Sequence, residues 1–210
     1  MHIGIIGAGN VGTALATGWL RVGHAVTFGV RAPQRQGGSS PAGAGVASVA
    51  DAAGDAEVVV LATPWPAVGD ALAAAGALRG RILIDCTNPL RMGAAGLELE
   101  IGHTTSGGET IAKLVPGAAV FKTLNQTGFG NMDHAAGFAP VPAVMYVAGD
   151  DEGRKPVVLT LVAELGFEAV DAGKLAVAQL LEPMAMLWIH MAFNRGVQPQ
   201  TTAFALTHRP

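Results

Sequence analysis

The residues with the clearest chemical use lie at the start of the chain, where Gly7-Ala8-Gly9-Asn10-Val11-Gly12 spaces its glycines as G-x-G-x-x-G. An apolar run from Ile3 to Ile6 precedes them. After Gly12 the period changes, with Ala14, Leu15, Gly18, Trp19 and Val22 recurring every three to four residues. The order is therefore strand, tight turn, helix. In such a turn Gly7 permits the sharp reversal, Gly9 lets backbone N–H groups approach a pyrophosphate, and Gly12 lets helix and strand pack closely. Unpaired N–H groups and the helix dipole at the helix N-terminus both favour negative charge. The stretch predicts a dinucleotide site. The plainer alternative is a glycine-rich turn that packs a helix on a sheet and binds nothing.

A carboxylate about 20 residues after the glycines ordinarily holds the ribose 2′-OH of NAD. This chain has no Asp or Glu before Asp51, and its second apolar run ends Gly29-Val30-Arg31, with Arg35 following. A guanidinium there can pair with a 2′-phosphate, and the missing carboxylate removes the repulsion that would exclude one. The pattern predicts NADP(H) rather than NAD(H). A solvated strand-end cation is the bland reading of Arg31.

In doubly wound sheets ligands lie across the carboxyl ends of the strands, so the loops leaving those ends are the next candidates. Ala62-Thr63-Pro64-Trp65 can cover the middle of a dinucleotide or simply be a proline-stiffened loop. Asn88 and Asn125 can hydrogen-bond a carboxamide or a ring edge, although Asn beside Pro is equally a turn former. Lys122 can serve as the general acid of a carbonyl or imine reductase if burial lowers its pKa; an exposed strand-end lysine is the commoner case. Cys86 reads as a small buried thiol. His103, in a Gly/Thr loop, can donate to a substrate or be simply a solvated loop histidine. No Ser-His-Asp order, H-E-x-x-H or paired-carboxylate motif stands out. A nicotinamide site without an evident acid/base pair suits hydride transfer between stacked rings, where the cofactors supply the chemistry. A dinucleotide-binding module without catalysis is the alternative.

The elements that must position these residues follow from periodicity. Strands are predicted over Ala25–Val30, Glu57–Ala62, Arg81–Asp85, Ala118–Leu124, Val144–Ala148 and Phe167–Val170, with loops over Ala32–Gly45 and after Pro89. Helices are predicted to end near Asp55, over Val68–Leu78 and Thr110–Val115, from an Asp150-Asp151 cap to Leu165, and over Leu175–Asn194. Alternation of this kind predicts an α/β fold with a doubly wound parallel sheet. The last helix is apolar nearly all round, which predicts burial on several sides and a subunit contact.

With 210 residues, 50% hydrophobic and 14% charged, the chain is long enough for a sizeable core and too apolar for disorder. A net charge of −3 without a basic cluster argues against a nucleic-acid partner. One cysteine excludes an intrachain disulfide and a cysteine metal cluster. No metal site is expected. The N-terminus has no signal-like basic flank, and Met184–Phe193 falls short of the roughly 20 residues a membrane span needs, so a cytoplasmic protein without a membrane partner is expected.

Taken in order, several segments resemble the NADP oxidoreductases that depend on the deazaflavin coenzyme factor 420, and the related cytosolic reductase domain of six-transmembrane metalloreductases. They are Gly7-Ala8-Gly9-Asn10-Val11-Gly12, Phe28-Gly29-Val30-Arg31-Ala32-Pro33, Ala62-Thr63-Pro64-Trp65 and Leu114-Val115-Pro116-Gly117-Ala118. Lys122-Thr123-Leu124-Asn125, Gly149-Asp150-Asp151, Asp171-Ala172-Gly173 and Glu182 complete the set. The resemblance implies an NADP-binding Rossmann domain over residues 1–150. Residues 151–210 would close the substrate pocket and pair subunits into a homodimer. It implies that Arg31 holds the 2′-phosphate, that Thr63 and Pro64 touch the cofactor, and that Leu124 and Asn125 lie near the nicotinamide. The second substrate it implies is a ring cofactor: deazaflavin factor 420, or FMN or FAD. Val30 departs from the Ser or Thr often found before that arginine in the family, and cannot hydrogen-bond a phosphate.

Overall fold

A computed structural model describes residues 1–35, 40–94 and 96–209, with Arg35 described by its backbone alone. The glycine stretch joins strand β1 (His2–Ile6) to helix α1 (Asn10–Arg21). The chain continues through β2 (Ala25–Val30), β3 (Gly45–Ser48), α2 (Val49–Gly54), β4 (Val58–Leu61), α3 (Val68–Ala75) and β5 (Ile82–Asp85). A hairpin follows, β6 (Leu90–Gly93) and β7 (Gly96–Leu99), then α4 (Gly107–Leu114) and β8 (Ala119–Lys122). The last elements are β9 (Val144–Gly149), α5 (Lys155–Glu164), β10 (Glu168–Gly173) and α6 (Ala178–Asn194).

The main sheet has the order β10-β9-β8-β5-β4-β1-β2-β3. From β3 to β8 every pairing is parallel, as predicted. The chain moves outward from β1 to β3, then returns to lay β4 on the other side of β1. The strand order therefore reverses between β1 and β4, the place where a doubly wound sheet opens a crevice at its carboxyl edge.

Both faces of the sheet are covered, which explains the continuous apolar strands. In β4, Val58 and Val60 join the layer under α1 and α5 with Trp19, Phe28 and Leu161. Val59 and Leu61 point the other way, to Leu72, Ile111 and Val120. The Trp19 indole donates to the Leu161 carbonyl at 2.9 Å and so ties α1 to α5.

The structure departs from the sequence reading at identifiable places. β9 runs antiparallel to β8, because their connection contains two short 3-10 turns, Phe129–Asn131 and Ala135–Gly137, in place of a crossover helix. β3 begins where a loop was expected to end; Gly-Val-Ala-Ser is a short edge strand without a β-branched run to announce it. The hairpin β6–β7 also replaces an expected loop. α5 starts at Lys155, not at the two acids, with Pro156 in its first turn, where a missing N–H costs nothing. Asp151 instead accepts from the Arg154 N–H at 3.0 Å, and Asp150 from the Leu175 N–H at 3.1 Å.

The stretch Leu175–Asn194 is long and apolar enough, by length and composition, to cross a membrane. It docks on α4 and β7, and Glu182 in its middle is buried. Pro183 lies inside α6, so the Gln179 carbonyl lacks its usual helical donor.

Candidate functional site

At the reversal between β1 and β4 the sheet carries a cleft of about 530 Å³. Its floor is the glycine turn. Gly7 has φ +112°, a conformation that side chains disfavour, and its N–H donates to the Gly29 carbonyl at 3.2 Å, fastening the turn to β2. Gly12 packs directly on that turn. A Cβ at Gly9, by contrast, would meet nothing within 4 Å, because Gly9 faces the open cleft as the N-cap of α1.

Of the residues singled out from the sequence, Gly7, Ala8, Gly9, Arg31, Ala62, Thr63 and Pro64 line this cleft. They converge because the carboxyl ends of β1, β2 and β4 lie side by side. The side chain of Arg35 lies outside the described residues. Asn10, Val11 and Gly12 form the first turn of α1 and are not part of the lining, and Asn88, Leu124 and Asn125 lie farther along, at the ends of β5 and β8.

Sequence reasoning missed the wall opposite. Ala67, Asp70, Ala71 and Ala74, at the start and along one face of α3, line the cleft, while Val68, Leu72 and Ala75 are buried beneath. The small residues on that helix face leave room for a flat group, but nothing in their spacing says that the face turns to the cleft. Among the described residues, Arg31 and Asp70 are the ionisable side chains of the lining.

The cleft fits a dinucleotide. Gly9 leaves the turn's N–H groups accessible, and the Thr63 hydroxyl is buried with no hydrogen-bond partner among the described residues. Such an orphan in a cleft is suited to a ligand.

Lys122 is not the exposed lysine considered from sequence. Its side chain is 0% exposed and its ammonium bonds Asp85 Oδ2 and Glu182 Oε1, each at 2.9 Å, and the Thr87 carbonyl at 2.5 Å. All its N–H donors are thus used. Burial alone would lower its pKa, but the two carboxylates outweigh burial and hold it above the usual lysine range. A lysine so fixed in its charged form is poorly placed to deliver protons at neutral pH, which counts against the Lys122 reductase reading.

The carboxylates are equally satisfied. Asp85 Oδ1 accepts from the Thr87 N–H at 2.8 Å and the Thr87 hydroxyl at 2.7 Å. Glu182 accepts the Gly107 and Gly108 N–H groups at 2.9 and 3.0 Å, at the N-terminus of α4, where the helix dipole favours an anion. Burial, reinforced by Asp85, pushes the Cys86 thiol far above its ordinary pKa, so it is inert as a nucleophile. His103 is exposed on a turn at φ +66°.

Asn125 donates to Asn88 Oδ1 at 3.0 Å and to the Leu181 carbonyl at 3.3 Å, and Asn88 donates back to the Asn125 carbonyl at 3.3 Å. Leu124 between these groups has φ +57°, a strained conformation for a leucine that the surrounding bonds hold in place.

The comparisons agree with this geometry. Residues 2–89 match the family described as NADP oxidoreductase, coenzyme F420-dependent. The crystal structure of a candidate F420-dependent NADP-reductase from Arthrobacter sp. FB24 is 32% identical, with a TM-score of 0.87 over 97% of this chain and 99% of its own. Metalloreductase STEAP3 of Rattus norvegicus is 28% identical over 184 residues, which are 88% of this chain; the chain spans 36% of that protein's length. A reductive aminase from Aspergillus terreus, solved with NADPH, shares the fold with a TM-score of 0.69 at 21% identity, over 92% of this chain and 63% of its own. With matching extending from the glycine turn through α6, this chain belongs to the family of coenzyme F420-dependent NADP oxidoreductases.

Proposed function

We propose that this protein transfers hydride between NADP(H) and the ring of a deazaflavin (factor 420) or a flavin, FMN or FAD, by direct stacking and without a protein acid or base. The observation that carries the reading is the cleft's charge pattern: Arg31 at the end of β2, Asp70 on α3, and no other ionisable side chain in the lining among the described residues. NADP(H), when bound, supplies or accepts the hydride. The N–H groups at the start of α1 hold the diphosphate, Arg31 pairs with the 2′-phosphate, and Thr63 donates its free hydroxyl to the cofactor. The Asn88 and Asn125 amides orient the nicotinamide end, Pro64 limits its movement, and Lys122, held by its carboxylates, takes no part in proton transfer.

Residues 151–210 are proposed to close the acceptor side and to pair two copies of the chain in a homodimer. Leu180, Leu187 and Met191 are exposed along one face of α6, at a spacing that forms a stripe. A homodimeric cytoplasmic reductase is the setting this reading implies.

The test is to mix purified protein with NADPH and, separately, with oxidised factor 420, FMN or FAD, and to follow NADPH absorbance. Turnover with at least one ring acceptor is expected. Tight NADPH binding with no turnover on any of them would replace the proposal with a non-catalytic dinucleotide module.

A further inference from the structure

The buried cluster around Lys122 stands at the carboxyl ends of β5 and β8, the strands that follow β4 in the sheet. Asp85 and Lys122 are paired in register as the last residues of β5 and β8, so both stand at the carboxyl edge of the sheet, the edge where the crevice opens. Glu182 reaches them from α6, a separate element. It fits because α4 begins with glycines. A Cβ on Gly107 would lie 3.0 Å from Glu182 Oε1 and 3.1 Å from the Trp65 ring, and Trp65 follows the Thr63-Pro64 wall of the cleft directly.

From Lys122 the connections divide. One N–H of the ammonium grips the Thr87 carbonyl, while Asp85 grips the Thr87 N–H and hydroxyl, so the turn after β5 is held from both sides. The next residue, Asn88, exchanges two hydrogen bonds with Asn125. Asn125 also donates to the carbonyl of Leu181, the neighbour of Glu182, and the circuit closes. A buried ion cluster is a poor stabiliser beside apolar side chains of equal volume. What it provides is fixed geometry, and the geometry fixed here is that of the turns after β5 and β8, at the carboxyl edge of the sheet.

We propose that Glu182 is a positioning residue: through Lys122 it sets the Thr87-Asn88 and Leu124-Asn125 turns that receive the nicotinamide end of the cofactor. The adenine and 2′-phosphate end, at Arg31 and α3, lies outside its reach. This rests on the NADP(H) reading above.

The experiment separates the two ends of the cofactor. Wild type, Glu182→Gln and Asn88→Ala are titrated by calorimetry with 2′-phospho-ADP-ribose, which lacks nicotinamide, and with NADPH. Wild type is expected to bind both, NADPH more tightly. Both variants are expected to bind 2′-phospho-ADP-ribose within about twofold of wild type while losing about tenfold or more of the NADPH advantage. Glu182→Asp, which keeps the charge, is expected to recover part of it. Binding of neither ligand by wild type would sink the NADP(H) reading itself. Binding of both by wild type, with the NADPH advantage intact in the variants, would overturn the positioning role alone. Should Glu182→Gln fail to fold, Glu182→Asp decides, since it keeps the charge but withdraws the carboxylate from Lys122; a full NADPH advantage there also overturns the proposal.

Discussion

Gly12, in the first turn of α1, lies so close beneath Gly7 that a Cβ added to it would stand 2.1 Å from the Gly7 carbonyl oxygen. Gly9, between them in sequence, has no such neighbour. The motif's glycines therefore divide into two that the turn itself requires, Gly7 and Gly12, and one that keeps the cleft open, Gly9. Gly12→Ala should destabilise the protein by about 1–3 kcal/mol or more through overpacking. Gly9→Ala should leave the melting temperature nearly unchanged and weaken NADPH about tenfold or more, because the added methyl enters the space proposed for the diphosphate. Thermal melts paired with NADPH titrations check both. Equal melting temperatures for the two variants would contradict the division.

Arg31 is exposed at the end of β2, and its proposed partner is a phosphate that NADH lacks. Losing a charge-assisted hydrogen bond costs about 1.5–3 kcal/mol, or roughly ten- to a hundredfold in affinity. Arg31→Ala is expected to weaken NADPH by that factor and to leave NADH within about twofold. The same titration run with both dinucleotides tells them apart, and a parallel loss for NADH would exclude a 2′-phosphate role.

Glu182→Ala leaves Lys122 with one carboxylate in place of two and opens a buried space beside it. Breaking a buried pair from one side typically costs about 3–5 kcal/mol, so urea unfolding should show a loss of that order. A loss below about 1 kcal/mol would mean that water reaches the cluster.

The pH dependence of that stability has a definite sign. Lys122 has its folded pKa raised above the unfolded value of about 10.4, so its contribution is complete below that pH and is lost as pH rises through the folded value. The stability difference between wild type and a Lys122→Met, Asp85→Asn, Glu182→Gln triple variant, which leaves no partner carboxylate to titrate, should therefore stay constant from about pH 6 to about pH 9 and shrink only in stronger alkali. Denaturant titrations across that range test it, and a difference that fades between neutral pH and about pH 9 would show that the carboxylates do not outweigh burial.

Leu187 is 53% exposed in the middle of α6. If the Leu180, Leu187 and Met191 stripe pairs two copies, Leu187→Asp should yield a monomer in sedimentation experiments on protein whose wild type is a dimer. A monomeric wild type would remove the homodimer from the proposal.

Much of the cleft was legible in the chain because its parts obey short-range rules. The glycine spacing, the change of period after Gly12, the lack of any carboxylate before Asp51 and the arginine ending β2 are all local, and neighbouring parallel strands bring such strand ends together. α3 was legible as a helix, yet not as a wall of the cleft. An Asp among alanines has no local rule that says which way it faces.

Lys122 shows where local reasoning ends. In the sequence it is a polar residue closing an apolar strand, a pattern equally good for a solvated end or a buried ion pair. Asp85 and Glu182 are just as ordinary in their own segments. Only the packing of α6 over the ends of β5 and β8 removes water from the three together, and that removal turns a candidate proton donor into a fixed cation. The sequence by itself determined the turn, the alternation of strand and helix, and the sign of the charge beside the cleft, since each depends on residues close along the chain. The tertiary structure alone decided that Lys122 is locked, that Asp70 faces the cleft and that β9 reverses direction, because burial and strand order depend on contacts between residues far apart in the chain.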